Sequence, residues 1–126
     1  MKIKSVSSLT FYVKDLEKTA KFYESLGFEK RKDGENTVTL YSNWFSITFV
    51  GINAENKPEF QKDAKAENKG AGIFIYLSVD NVDEAYKDLV AMGIKPSTEP
   101  KDWPWGNREF VLKDPDGYKL VIFKKK

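Results

Sequence analysis

The feature that most constrains this chain is an internal repeat with an offset of 66 residues. Val13 falls on Val79 and Gly27 falls on Gly93, so a strand, a helix and a glycine stop recur at matching spacing. Self-similarity at a fixed offset indicates repeated structural units, and a unit of about 60 residues buries too little surface to be stable alone. We therefore predict an α+β fold in which two βαβββ repeats form a curved mixed sheet around a cleft, with the helices on its convex face.

The first repeat begins with a strand whose residues alternate in polarity. In the predicted strand Val6–Val13, apolar residues point to one side, whereas Ser8 and Tyr12 point to the other. Asp15 is then predicted to cap a helix, and Gly27 to end it. The remaining elements of this repeat are that helix, over 16–26, and strands at Phe28–Arg31, Thr37–Tyr41 and Phe45–Val50.

The second repeat follows the same order and ends in a hairpin. Ile73–Val79 alternates like the first strand, and Asn81 is predicted to cap a helix that Gly93 ends. Asp114–Gly117 has the composition of a tight turn, because its proline pre-sets φ and its glycine accepts positive φ. This turn joins two predicted strands, Glu109–Lys113 and Tyr118–Phe123.

A charged stretch separates the two repeats. Residues 53–70 are rich in Lys, Glu and Asn, which predicts a connector with a short helical turn around Glu59–Ala66 and makes it the best candidate for mobility. The chain of 126 residues is accordingly predicted to be one domain, with repeats at about 3–52 and about 71–126.

Composition excludes several classes of function. The sequence has no cysteine and no histidine, so disulfides, thiol chemistry and Ser-His or Cys-His nucleophile pairs are impossible. The net charge is +2 with both signs spread along the chain, which predicts no nucleic-acid partner. No apolar run is long enough to span a bilayer, so we expect no membrane partner and a cytoplasmic protein.

Three fragments carry a family resemblance. They read V-K-D-L-E-K-T-A-K-F-Y-E-S-L-G-F at 13–28, V-D-N-V-D-E-A-Y at 79–86, and W-G-N-R-E-F…D-P-D-G-Y-K-L at 105–120. In this order, together with the repeat, they resemble the vicinal oxygen chelate superfamily, which includes glyoxalase I, fosfomycin-modifying enzymes, extradiol dioxygenases and bleomycin-resistance proteins. The resemblance covers nearly the whole chain, and the third fragment is most similar to the bleomycin-resistance branch.

The resemblance also locates the positions at which the metal-dependent enzymes of the superfamily carry their ligands. These positions hold Ser8, Phe74 and Val121 here, and the fourth falls at Ile47 or Thr48. Phenyl and isopropyl groups cannot ligate a metal, and a serine hydroxyl does so weakly. We therefore predict no metal, no cofactor and no metal-dependent glyoxalase, fosfomycin-transferase or dioxygenase activity.

Aromatic residues are predicted to line the cleft. Strand alternation places Tyr76 beside Phe74 on the cleft side, and loops could close tryptophans over its mouth. Aromatic faces stack on planar heterocycles, and Arg108 could pair with an anionic or carbonyl group. Trp44 could instead be core, and the tryptophans at 103 and 105 a hydrophobic lid over it. Tyr12 and Tyr76 could line a dimer contact, and Arg108–Glu109 could be a strand-surface pair. The predicted ligand-binding residues are Ser8, Tyr12, Trp44, Phe74, Tyr76, Trp103, Trp105, Arg108, Phe110 and Val121.

The sequence leaves two main classes of function open, and a third is possible. The first is a non-catalytic, homodimeric protein that binds an aromatic or planar small molecule, as the bleomycin-resistance resemblance implies. Because bleomycin is cationic and this chain is slightly basic, we expect a neutral or anionic ligand instead. The alternative is a metal-independent enzyme that uses Tyr12, Tyr76, Arg108 or Glu109. A purely structural domain would be indicated if side chains filled the cleft.

Overall fold

The computed structural model describes residues 1–126, which divide into two compact units, Met1–Glu67 and Asn68–Lys126. The first unit contains β1 (Leu9–Val13), α1 (Leu16–Ser25), β2 (Glu29–Asp33), β3 (Thr37–Ser42), β4 (Phe45–Gly51), a 3-10 turn (Ile52–Ala54) and α2 (Pro58–Ala64). The second contains β5 (Phe74–Ser78), α3 (Val82–Ala91), β6 (Lys101–Asp102), β7 (Asn107–Lys113) and β8 (Lys119–Lys125).

Each unit holds one four-stranded mixed sheet, with strand orders β1-β4-β3-β2 and β5-β8-β7-β6. β1 pairs in parallel with β4, and β5 pairs in parallel with β8; the other pairs in both sheets are antiparallel. A parallel pair needs a crossover connection, which α1 and α3 supply in the two units. The predicted α+β class and the βαβββ repeat are therefore confirmed, with a complete sheet in each repeat.

Aromatic packing holds α1 against the first sheet. Tyr23 is fully buried, and its ring lies 4.8 Å from that of Phe49 and 5.4 Å from that of Phe28. The predicted helix limits are confirmed by the cap atoms: Asp15 Oδ1 accepts a hydrogen bond from Lys18 N at 3.0 Å. The helix ends before Gly27, whose φ of +100° is the left-handed conformation that glycine adopts without strain.

The predicted connector is only partly irregular. Its helical turn is confirmed as α2, which begins at Pro58, a residue suited to the first turn because it lacks an N–H. Ala64 of this helix is buried, and α2 contacts β1. The connector up to Glu67 thus belongs to the first unit, whereas its mobility stays a prediction.

Two aromatic residues hold α3 against the second sheet. The ring of Tyr86 meets that of Phe110 edge to face at 5.3 Å, and Phe110 is fully buried. Asn81 Oδ1 accepts a hydrogen bond from Glu84 N, which confirms the predicted cap. At the hairpin, Asp114 is buried and its Oδ1 accepts hydrogen bonds from the amides two and four residues on, so this aspartate is a turn residue.

Several strand limits differ from the prediction, and one strand was not predicted. β1 begins at Leu9, because the residues before it are exposed and have no strand partner. Lys101–Asp102 forms the short strand β6, which pairs with Arg108 and Glu109. A two-residue strand fits between Pro100 and Pro104 because neither proline lies inside it.

Candidate ligand-binding site

The two faces of the second sheet differ in what covers them. Arg108 and Phe110 of β7 contact α3, so their side chains lie on the helix side of the sheet. Because side chains alternate along a strand, Glu109 and Val111 point to the opposite side. Their partners across the ladder on β8, Phe123 and Val121, share that side. We call this side, away from α3, the open face of the second sheet.

Aromatic side chains dominate the open face along β5. Phe74 is 52% exposed and Tyr76 is 49% exposed, which is unusual for residues inside a strand. The Tyr76 ring meets the Phe123 ring edge to face at 5.5 Å, with the planes 73° apart. Lys119 places its Nζ 5.3 Å from the centre of the Phe74 ring. The exposed rings of Phe74 and Tyr76 give this face apolar surface to which a flat molecule can bind by stacking.

A second aromatic group lies at the other edge of this sheet, just after β6. Trp103 and Trp105 are stacked, with ring centres 4.8 Å apart and planes 11° apart. Lys101 Nζ lies 4.2 Å from the Trp103 ring, a cation–π distance. Trp105 is 59% exposed, and Trp103 is partly buried. Neither tryptophan is therefore a core anchor.

Glu109 is the acidic residue of the open face, and it is only 4% exposed. Its Oε2 accepts a hydrogen bond from Asn107 Nδ2 at 3.2 Å. Sequence reasoning placed it in a surface pair with Arg108 or among the groups of a hypothetical enzyme, and the first interpretation is wrong, because adjacent strand residues point to opposite faces. The alternation of side chains along β7 is the sequence signal that distinguishes these two interpretations of Glu109.

Arg108 requires a correction. The sequence suggested that it anchors a ligand, but its guanidinium lies on the helix side and binds two carboxylates. Its Nε and Nη2 donate to Asp83 of α3 at 3.0 and 2.9 Å, and its Nη1 donates to Asp102 at 3.1 Å. The hydrogen bonds from Arg108 hold the pKa of Asp83 below the usual range for aspartate, and those from Lys126 and, to a smaller extent, Arg108 do the same for Asp102. Lys126 Nζ also donates to Asp102, at 2.6 Å.

Phe110 and Val121 require corrections of different kinds. Phe110 is fully buried between the sheet and α3, so it belongs to the core and not to a ligand surface. Val121 does lie on the open-face side, between Tyr76 and Val111, but it is almost completely buried. Its side chain therefore lies beneath the open face and offers a ligand almost no accessible surface.

The predicted residues of the first unit have separate surroundings. Tyr12 donates its hydroxyl proton to Glu55 Oε1 at 2.7 Å. That hydrogen bond, with partial burial, raises the pKa of Tyr12 to about 12. Trp44 is 85% exposed at the β3–β4 hairpin, where it contacts Phe45 edge to face, so it is not core. Ser8 is exposed just before β1.

The first sheet is polar on the side away from α1. Thr39 and Thr48 form a hydroxyl–hydroxyl hydrogen bond of 2.9 Å across β3 and β4. Arg31 lies 4.5 Å from the centre of the Tyr41 ring, on the edge of the same sheet. This face presents hydroxyl groups, a cation and the Tyr41 ring.

A groove of about 430 Å³ lies on the other side of the first sheet, between α1 and the β2–β3 hairpin. Charged side chains of both signs line it, and pairs such as Lys21–Glu17 at 3.1 Å and Lys30–Asp33 at 3.5 Å bridge neighbours in sequence. No aromatic side chain contributes to its lining. The groove has the character of a solvated surface between a helix and a hairpin.

The strand registers place the fourth metal-ligand position. Thr48 pairs with Thr10, and Val121 pairs with Tyr76, the repeat equivalent of Thr10, so Thr48 corresponds to Val121. Ile47 is buried in the core. The four positions thus hold two hydroxyls, a phenyl and an isopropyl group, which do not fit a divalent metal. The structure contains no group of three or more His, Cys, Asp or Glu residues arranged to hold one.

The topology, the repeat and the hairpin define a member of a known superfamily. The family model described as Glyoxalase/Bleomycin resistance protein/Dioxygenase superfamily matches residues 5–122. The chain therefore belongs to this superfamily. None of its helices combines the length and the apolar character that crossing a bilayer requires.

Two relatives are similar to this chain over most of its length. The chain is 28% identical over 120 residues to the bleomycin resistance protein of Geobacillus stearothermophilus, covering 89% of this chain and 90% of that protein. It is 27% identical over 125 residues to the uncharacterized protein YraH of Bacillus subtilis (strain 168), covering 89% and 91%.

Solved structures agree on the fold. A glyoxalase/bleomycin resistance protein/dioxygenase from Nocardioides gives a TM-score of 0.84 at 19% identity, over 99% of this chain and 85% of that chain. A superfamily member from Sphaerobacter thermophilus DSM 20745 gives 0.76 at 29% identity, over 98% of each chain.

Proposed function

We propose that this protein binds an aromatic or planar drug or metabolite without transforming it, and so sequesters it. The observation that carries the proposal is the half-exposed pair Phe74 and Tyr76 on the open face of the second sheet. Large contiguous apolar surface on a soluble protein marks a binding site more often than it occurs by chance. The similarity to bleomycin resistance proteins supports the same class of function.

The open face suits flat ligands for an energetic reason. A half-exposed aromatic side chain still has much of its surface in water, and covering that surface with a ligand ring is favourable. Tyr76 is already oriented by its edge contact with Phe123, so little side-chain entropy is lost on binding. Trp105 supplies a further exposed ring at the other edge of the sheet.

The proposed site works without a metal, because Phe74 and Val121 stand at positions where the enzymes of the superfamily carry ligands. Elemental analysis of protein purified without chelator should find zinc, nickel, iron and manganese well below one equivalent. One equivalent of bound metal that survives dialysis would contradict this part of the proposal.

We also propose that the protein forms a homodimer. Several large apolar residues are exposed on a single chain, including Ile73, just before the edge strand β5, and Phe74, its first residue. Sedimentation at micromolar concentration should give about twice the chain mass of 14.5 kDa. A monomer that persists as the protein concentration rises would refute the dimer.

Titration of 2-naphthalenemethanol into the protein, followed by calorimetry, tests ligand binding. Tyr76→Ala should weaken binding of this flat neutral probe roughly tenfold, the loss of one ring contact and its buried area. Val90→Ala is a matched control, because Val90 is 50% exposed on α3, on the opposite side of the same sheet. Equal binding by both variants would place any aromatic site elsewhere.

A metal-independent enzyme is the second candidate, and Glu109 is the observation that favours it. A buried carboxylate on an aromatic surface can serve as a general base. A turnover screen with lactoylglutathione-type and aromatic substrates separates the candidates. Ligand recovered unchanged after prolonged incubation supports sequestration, whereas product formation that Glu109→Gln abolishes supports the enzyme.

A further inference from the structure

The position of Glu109 makes it accessible to a ligand only from the open face of the second sheet. Across the ladder it pairs with Phe123 on one side and Lys101 on the other. Phe123 in turn contacts Tyr76. A ligand whose ring covers Tyr76 and Phe123 is therefore adjacent to the carboxylate of Glu109.

The carboxylate of Glu109 keeps capacity to accept further hydrogen bonds. An ionised carboxylate offers about four acceptor sites, and Asn107 Nδ2 uses one of them, at Oε2. Among the neighbouring cations, Arg108 binds Asp83 and Asp102 on the helix side, Lys101 lies over the Trp103 ring, and Lys125, two residues beyond Phe123 on the open face, forms no ion pair with Glu109. No ion pair reaches Glu109 within the chain.

Buried carboxylates are normally paired, because removing a charge from water is costly. Glu109 is buried, is bonded to one neutral amide and lies on a face rich in aromatic rings. A positively charged group that donates hydrogen bonds is the partner that such a site recognises best.

From this arrangement we infer that Glu109 determines specificity at the proposed site, by binding a protonated amine or amidine attached to the aromatic ring of the ligand. This inference rests on the proposed function. It also revises the expectation of a neutral or anionic ligand, which came from the net charge of +2. Exposed charges farther away than about 10 Å are largely screened by salt, whereas a buried carboxylate in contact is not.

Three probes that share one ring system isolate the charge. 2-Naphthylmethylamine is cationic at pH 7, 2-naphthalenemethanol is neutral and 2-naphthoic acid is anionic. The parent protein should bind the amine roughly tenfold or more tightly than the alcohol, as expected for a charge-assisted hydrogen bond, and bind the acid most weakly. Calorimetry at constant ionic strength measures all three.

Two variants assign this preference to Glu109. Glu109→Gln should bind amine and alcohol about equally, and Glu99→Gln, which removes an exposed carboxylate in the same unit, should keep the preference of the parent. A structural role for Glu109 would lower stability but leave the amine-to-alcohol ratio unchanged, and that result would overturn the inference.

The outcomes separate this inference from the proposed function. If the three probes bind the parent equally and Tyr76→Ala weakens all of them, the site stands and the role of Glu109 is refuted. If none binds, the proposed function fails as well. Should Glu109→Gln not fold, Glu109→Asp decides: an amine-to-alcohol ratio below that of the parent, as expected when the shorter side chain holds the carboxylate farther from the amine, supports the inference, and an unchanged ratio overturns it.

Discussion

Two edge-to-face aromatic pairs lie on opposite sides of the second sheet, and their comparison tests how the faces are assigned. Phe110 meets Tyr86 at 5.3 Å on the helix side, and Tyr76 meets Phe123 at 5.5 Å on the open face. The ring contacts are nearly equal, but Phe110 is fully buried and Tyr76 is half exposed. Phe110→Leu and Tyr76→Leu therefore make similar chemical changes in different environments.

The expected costs follow from this difference in burial. Replacing Phe by Leu removes three side-chain carbons, which at ~0.8 kcal/mol per buried carbon is about 2.4 kcal/mol for Phe110. Loss of the ring contact and the cavity left behind bring the total to about 3–4 kcal/mol. At Tyr76 about half of the transfer term applies and water fills the space, so the total is about 1–2 kcal/mol.

Urea denaturation followed by circular dichroism measures the free energy of unfolding of each variant, and calorimetry with 2-naphthalenemethanol measures binding. We expect Phe110→Leu to lose more stability and, where folded, to keep its affinity for the probe. Tyr76→Leu should lose less stability and bind the probe more weakly. The reverse pattern would show that the ligand surface is on the helix side and would refute the assignment of faces.

Three further predictions concern other contacts. Trp105→Ala should unfold with a loss well below the ~3–5 kcal/mol of a core tryptophan and should weaken probe binding, as denaturation midpoints and titrations will show. The hydrogen bond to Glu55 raises the pKa of Tyr12 to about 12, so the stability that it provides is present below pH 10 and is lost as the pH rises toward 12. The urea midpoints of the parent and of Tyr12→Phe should therefore differ at pH 9 and become nearly equal at pH 11.5. Arg108 lowers the pKa of Asp83, so its contribution is present above the usual value of 3.8 and is lost as pH falls; Arg108→Met should flatten the decline in melting temperature between pH 5 and pH 2.

The fold was predictable because its local signals agree with one another. Asp15 and Asn81 cap the two helices, and Gly27 and Gly93 follow them with positive φ, so both boundaries could be assigned from residue type. The offset of 66 residues then required the same topology twice. The strand at Lys101–Asp102 escaped detection because two residues carry no periodicity.

The assignment of faces on β7 failed for a different reason. Phe110 and Val111 are both apolar, so alternation alone does not say which of them faces the helix. The Asp114–Gly117 turn contained the missing information. Its length pairs Lys113 with Lys119, and this register places Val111, not Phe110, beside Val121. Phe110 and Val121 could therefore never share a face, and the hairpin register alone would have removed Phe110 and Arg108 from the predicted site.

The same register determines which side chains lie on the open face. A metal in this superfamily would fix a ligand through directional bonds to oxygen, but Phe74 and Val121 leave no donors at those positions. Aromatic rings bind many flat molecules with little discrimination between them, because stacking depends weakly on substituents. A buried carboxylate on such a surface raises the affinity for a ligand whose nitrogen donates a hydrogen bond to it, and lowers the affinity for a ligand that leaves it unpaired. Under the proposed function, affinity comes from Tyr76 and discrimination from Glu109, so substitutions at these two positions should change the two properties independently.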